Sequence, residues 1–151
     1  MASVLDAAKF ILNECKRQNG EDLITTWKLQ KLVYYSQAWA LVWDDKPIFN
    51  EKIEAWANGP VVPELYAVHR GEFKISSAGI SGNSLKLLKE HKETIVEVVK
   101  FYGNYSPHQL SELTHNEDPW KEARKGQSPG ERGSNEITHA SLAEYYTTLT
   151  Q

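Results

Sequence analysis

Apolar residues recur along most of this chain at the three- and four-residue spacing that lines one face of an α-helix. Over residues 3–19 the stripe is Val4, Ala8, Ile11, Leu12 and Cys15. Ser3 stands at a capping position with Asp6 in the first turn, and Gly20 follows the last helical residue. A second helix is predicted from Thr26 to about Trp43. Leu29, Leu32, Val33, Ser36, Ala40 and Trp43 share one face, and Tyr35, Ala38, Trp39 and Val42 make the other side apolar too. A helix apolar nearly all round belongs at the centre of a fold. Gln30 and Lys31, near its start, are expected at the surface.

The middle of the chain breaks this period. Residues 44–47 read as a turn. Ile48-Phe49 and Ile53-Glu54-Ala55-Trp56 are expected to pair as a small hairpin, with residues 50–52 at its tip. Asn58-Gly59-Pro60-Val61-Val62-Pro63 follows. Asn58 and Gly59 tolerate positive φ, Pro60 restricts the residue before it, and Pro63 suits the first turn of a helix through Glu64, Leu65 and Tyr66. This reads as a rigid Gly-Pro elbow. Residues 72–83 read as a loop with one extended piece, Phe73-Lys74-Ile75.

Helical period then returns. Residues 84–102 carry the stripe Leu85, Leu88, Ile95, Val99 and Tyr102, with Lys and Glu outside. Ser106, Pro107 and Gln109 make a strong helix start running to about Thr114. Asp118-Pro119 begins another helix bearing Trp120, with Asp118 expected as its cap. After a Gly/Ser/Pro loop over residues 126–135, a last helix is expected over residues 138–149. The expected fold is mainly α: one compact helical domain over residues 1–151, with a small β-hairpin before the elbow.

Length and composition fit that picture. A chain of 151 residues, 40% hydrophobic and 25% charged, is long enough to bury a substantial core. A formal net charge of -3 gives no global attraction for nucleic acid, and no apolar run is long enough for a membrane span. The N-terminal residues lack the pattern of a signal peptide, and the one cysteine, Cys15, cannot form an internal disulfide, so a cytoplasmic setting is expected. Five tryptophans and seven tyrosines are a heavy aromatic load for this length; most are expected in the core, and both residue types also serve as anchors in protein interfaces.

Candidate chemistry is sparse. His115, Glu117 and Asp118 form the best acid/base or metal group, but no other ligand stands at a matching spacing and there is no His-Glu-x-x-His or paired cysteine motif. A structural corner explains them better, with His115 as a cation on the dipole at one helix end. No Gly-x-Ser-x-Gly elbow and no phosphate loop is present. Neither a catalytic site nor a cofactor or metal site is expected. Lys121, Arg124, Lys125 and Arg132 gather positive charge around Trp120, but Glu122 and Glu131 dilute it and no helix-turn-helix accompanies it.

Three blocks together carry a family resemblance: Lys28-Leu29-Gln30-Lys31-Leu32-Val33-Tyr34-Tyr35, then Ile53-Glu54-Ala55-Trp56 running into Asn58–Tyr66, then Leu113-Thr114-His115-Asn116-Glu117-Asp118-Pro119-Trp120. In this order, over residues 4 to about 146, the chain resembles the Panacea antitoxin domain of SocA-like antitoxins and phage GepA-like proteins. Trp39 to Trp43 and the loop over residues 72–83 match no family motif. The resemblance implies a non-enzymatic antitoxin that binds a cognate protein toxin, either blocking it or delivering it to a host protease. The alternative it implies is a phage or prophage protein that inhibits a host protein; a hydrolase acting at His115 is a weaker rival. No small-molecule substrate, membrane or nucleic-acid partner is expected. Trp56, Gly59, Pro60, Tyr66, His115 and Trp120, at the elbow and the corner, are the candidate partner-binding residues.

Overall fold

The structure, a computed structural model, describes residues 1–150. Helix α1 (Val4–Asn19) opens with a reciprocal capping box between Ser3 and Asp6 and ends on Gly20 in the left-handed conformation. A short strand β1 (Ile24–Thr25) leads directly into α2 (Thr26–Trp43), capped by the Thr25 hydroxyl. Helix α2 is the hub. It packs against α1, against α4 (Lys89–Tyr102) and α7 (His139–Thr148), and against α5 (Pro107–His115). Every residue from Lys28 to Ala40 is buried. The rest of the chain is a shell around this helix.

Burying polar positions on a central helix requires partners for them. Gln30 and Gln37 find theirs in irregular backbone. The Gln37 side chain accepts from the amides of Ile48 (2.8 Å) and Phe49 (3.4 Å) and donates to the Phe49 carbonyl (2.8 Å). Its amide thereby replaces a neighbouring strand. This is why the expected pairing of Ile48-Phe49 does not form: both residues are buried, but a side chain takes their backbone groups. Gln30 treats Val62 similarly, accepting from its amide at 2.9 Å. Gln30 and Lys31 are thus interior rather than at the surface, 0% and 1% exposed. Trp43, expected on the buried face, is half exposed.

The hairpin is shifted along the chain by one segment. Strand β2 (Ile53–Trp56) pairs antiparallel with β3 (Gly59–Val61), so the elbow is itself the second strand and the reversal falls at Ala57-Asn58. Pro60 is tolerated because β3 is an edge strand. The other side of β2 pairs with β5 (Glu136–Ile137), giving the order β3-β2-β5. Pro63 begins α3 (Pro63–His69) at its first turn. The extended piece in the following loop is β4 (Lys74–Ile75), which pairs with β1.

The helix expected from residue 84 starts only at Lys89 in α4, after a 3-10 turn at Ser84–Lys86. Two contacts divert the chain there. The Asp6 carboxylate accepts from the Asn83 amide at 2.7 Å, and Gly82 presses on the Leu5 carbonyl so closely that a Cβ would lie 2.3 Å from it. Leu85 and Leu88 are consequently exposed, and the buried face of α4 is His91, Thr94, Ile95, Val98, Val99 and Tyr102. Ser106 and Gln109 form the capping box of α5. Glu117, not Asp118, holds the N-cap position of helix α6 (Asp118–Ala123), without a side-chain capping bond, and Asp118 lies one position inside the helix. No helix among the described residues is long and apolar enough to cross a membrane.

Candidate functional site

The hairpin, α3 and the α5–α6 corner meet over the first half of α2. The corner docks on the hairpin turn through polar contacts to backbone. Ser111 donates to the Asn58 carbonyl at 2.7 Å, and the Trp120 indole donates to the Trp56 carbonyl at 2.8 Å. His115 stacks on Trp120 with ring centroids 3.9 Å apart. On the outer side, Trp56 meets Tyr66 edge to face at 5.0 Å and donates its indole N–H to Glu54. The guanidinium of Arg132 lies 3.8 Å above the Trp56 ring. The result is a band of two aromatic pairs, His115–Trp120 and Trp56–Tyr66, joined by the Trp120–Trp56 hydrogen bond, with a cation over the second pair.

Beneath this band runs Lys31. Its stem passes under Gly59, where a Cβ would come within 2.4 Å of Lys31 Cε and 3.0 Å of Nζ. Gly59 also has φ +127°, which L side chains rarely adopt. The glycine therefore answers two demands at once, a backbone conformation and a close approach. Among the described residues, Lys31 Nζ has no ion pair, and the Trp27 ring lies 5.5 Å from it. Burial pushes the Lys31 ammonium down to about 8.

His115 does not serve as a cation at a helix end. Burial, with Lys31 and Arg124 nearby, holds its imidazole below the ordinary histidine range, so the neutral ring predominates at neutral pH. Its Nε2 is buried and makes no hydrogen bond among the described residues. Nor do His115, Glu117 and Asp118 work together. Asp118 turns to Lys121 at 3.9 Å, His115 lies against Trp120, and Glu117 points into the core. Among the described residues, no group of three potential metal ligands converges.

Glu117 instead ties the corner to α2 and α7. Its Oε1 accepts from the Tyr35 hydroxyl at 2.7 Å and the Tyr146 hydroxyl at 2.8 Å, and Tyr146 is 2.9 Å from the Tyr34 hydroxyl. Tyr35 stacks flat on Tyr102 at 4.0 Å. Burial raises the Glu117 carboxyl above its ordinary range, against the opposing pull of the two tyrosine hydroxyls.

The positive charge around Trp120 is largely committed elsewhere. Lys125 pairs with Glu122 at 2.7 Å, and Arg124 is buried. Arg124 donates to the carbonyls of Ala55, Ser128, Glu131 and Arg132, and so folds the loop over residues 126–135 back onto β2. Arg132 reaches Trp56 because of that loop.

All six residues nominated from the sequence fall in this region. Trp56, Gly59 and Pro60 are buried in the isolated chain, while Tyr66, His115 and Trp120 keep partial access. Sequence reasoning missed Lys31, placed at the surface, and the role of Arg124 as a loop organiser. An unpaired lysine at an interior helical position of α2 was the available signal for the first. Nothing local signals the second.

A profile of the family described as antitoxin SocA-like, Panacea domain, matches residues 29–121, well over half of the chain. The chain belongs to this family. No curated protein and no solved structure matches it. The Panacea match begins in α2 and ends in α6, narrower than residues 4 to 146. It encloses Lys31, the hairpin, the elbow and the corner, and leaves α1, β5 and α7 outside.

Proposed function

We propose that this Panacea domain is a cytoplasmic antitoxin that neutralises a protein toxin by forming a stoichiometric complex with it. The family match is the observation that carries this reading. Its surface is the band where the elbow meets the corner, with Tyr66 and Trp120 as partly exposed aromatic anchors and Arg132 as a cation already positioned over Trp56. Rings held by neighbouring side chains lose little entropy on binding, which suits them to recognition. Trp56, Gly59 and Pro60 support that surface from below.

A complex of this kind should bury on the order of 1,600 Å² in total. The test is co-expression with the product of the adjacent gene, followed by titration of purified toxin with purified chain in the absence of any protease. Neutralisation complete at one molar equivalent supports the proposal. Neutralisation at a small fraction of an equivalent, or only when a protease is present, refutes direct blocking. Tyr66→Ala and Trp120→Ala should each cost about 2 kcal/mol or more in binding, about thirtyfold in affinity.

A further inference from the structure

The far side of the Glu117 network opens on a cavity of about 810 Å³, within the size range of small-ligand sites. Trp39, Trp43, Phe101, Tyr105 and Leu149 line it together with Glu117. Four of the ten exposed large hydrophobic residues among the described residues gather here: Trp43 at 50%, Phe101 at 67%, Tyr105 at 36% and Leu149 at 50%. Apolar exposure concentrated on one concavity marks a binding site far better than the same residues scattered would. The rings are held in place. Trp39 stacks on Trp43 with centroids 4.9 Å apart and donates its indole N–H to the Tyr102 hydroxyl at 3.0 Å.

The carboxylate gives this cavity its chemistry. Glu117 is 7% exposed, and both of its hydrogen bonds fall on Oε1. Among the described residues Oε2 accepts none. Glu117 lines the cavity, and a ligand that brings a charged donor to the oxygen left free by protein donors makes the stronger, charge-assisted kind of hydrogen bond. At the rim, Glu97 and Lys100 offset one another, leaving Glu117 to set the sign of the lining. Aromatic faces around a carboxylate favour a cation through their quadrupoles.

We propose that this cavity binds an organic cation, an ammonium or guanidinium carried on an apolar body, with the charged group at Glu117 and the body against Trp39, Trp43 and Phe101. The site is separate from the elbow band and does not depend on the antitoxin reading. A free amine and a lysine or arginine side chain of a protein segment both supply this chemistry, and the test distinguishes them.

The experiment titrates the full chain with 3-phenylpropylammonium, the neutral 3-phenylpropanol and the anionic 3-phenylpropionate, following the tryptophan indole N–H signals by NMR. Two further probes are the acetylated, amidated tripeptide Leu-Lys-Leu and its counterpart with norleucine at the centre. Expected is saturable one-to-one binding of the ammonium that shifts the Trp39 and Trp43 signals, with the alcohol at least tenfold weaker and the acid weaker still. Glu117→Gln keeps an oxygen for Tyr35 and Tyr146 and should abolish the preference for the ammonium over the alcohol. Trp43→Ala, at a half-exposed position, should weaken both. If the lysine peptide outcompetes the amine, the natural occupant is a protein side chain; the reverse order makes it a free amine. Equal binding of alcohol and ammonium, an undiminished preference in Glu117→Gln, or no saturable binding by any of the cations overturns the proposal.

Discussion

Lys31 and Glu117 are both buried charged residues inside the segment that matches the Panacea family, yet the fold treats them differently. Lys31 is sealed. Its stem lies under the Gly59 backbone, and its ammonium has an aromatic face nearby but no carboxylate partner among the described residues. Glu117 is held from one side by two tyrosine hydroxyls and borders a cavity on the other. A buried charge with closed packing around it fixes architecture; one that lines a cavity with an oxygen no protein donor occupies is available to a ligand. The contrast also divides the tyrosines and tryptophans. Beyond Glu117, Trp39, Trp43, Tyr102 and Tyr105 line the concavity, while Trp56 and Tyr66 belong to the outer band at the elbow.

The most disruptive way to probe the sealed region is Gly59→Val. A positive φ of +127° carries a strain of about 1–3 kcal/mol for a side-chain-bearing residue. The overlap with Lys31 adds an overpacking cost of about 1–3 kcal/mol. Thermal melts by circular dichroism should show a loss of about 3 kcal/mol or more, or no folded protein at all. A gentler cycle separates the two causes. Gly59→Ala should cost less in a Lys31→Ala background than in the parent, because only the steric part disappears. An equal cost in both backgrounds would make backbone strain the whole effect.

Lys31 also predicts a pH dependence. Its ordinary value is 10.5 and its folded value about 8, so between those values the unfolded chain holds a proton that the folded chain has released. Stability from this site is therefore lowest below about pH 8 and rises with pH through the window, by at most about 1.4 kcal/mol per unit. Lys31→Met should lack that rise. Urea unfolding of parent and variant at several pH values across the window checks it, since contributions from other groups cancel in the difference. A constant difference from pH 7.5 to pH 10 would mean that the ammonium is solvated in the folded chain.

These sites show what the sequence made legible. Elements governed by neighbours in the chain were readable: the Ser3–Asp6 and Ser106–Gln109 capping boxes, Pro63 at the start of α3, and the extent of α2. Elements decided by distant partners were not. The true partners of β2 are β3 and, some eighty residues on, β5, while Gln37 claims the segment expected to pair with β2. Lys31 and Arg124 followed the rule that charged residues lie outside, and each violates it because backbone or rings from another element enclose it. The elbow and the corner were recognisable as a motif. That they converge over one buried lysine depends on tertiary packing, which periodicity does not encode.

On the open side, Tyr146→Phe should cost about 1–3 kcal/mol by removing one of two hydroxyl donors to a buried carboxylate. The Glu117 carboxyl is raised in the folded chain, so its contribution is most favourable below its ordinary value of 4.5 and is lost as pH rises through the folded value. The lost hydroxyl is one of the influences that lower this pKa, so its removal raises the pKa further. The variant's deficit should accordingly be larger at pH 7 than at pH 4, measured by chemical denaturation. A deficit independent of pH would show that the hydroxyl serves packing rather than the carboxylate.

The smallest expected effect belongs to Arg132→Ala, and it tests whether the elbow band is a surface or merely a lid. Arg132 is exposed and reaches Trp56 through a loop that Arg124 organises, so its removal leaves the loop's hydrogen bonds intact. A cation over an aromatic face at the surface contributes about 0.5–1 kcal/mol, and melting should fall by no more than that. Trp56 emission should shift to longer wavelength as water reaches the ring. If the band recognises the toxin, the same variant should lose affinity by a larger factor than its stability loss predicts, because a positioned guanidinium is then missing from the interface. Stability and affinity that fall in step, or an unchanged affinity, would reduce Arg132 to a cover for Trp56 and move the interface toward Trp120 and α6.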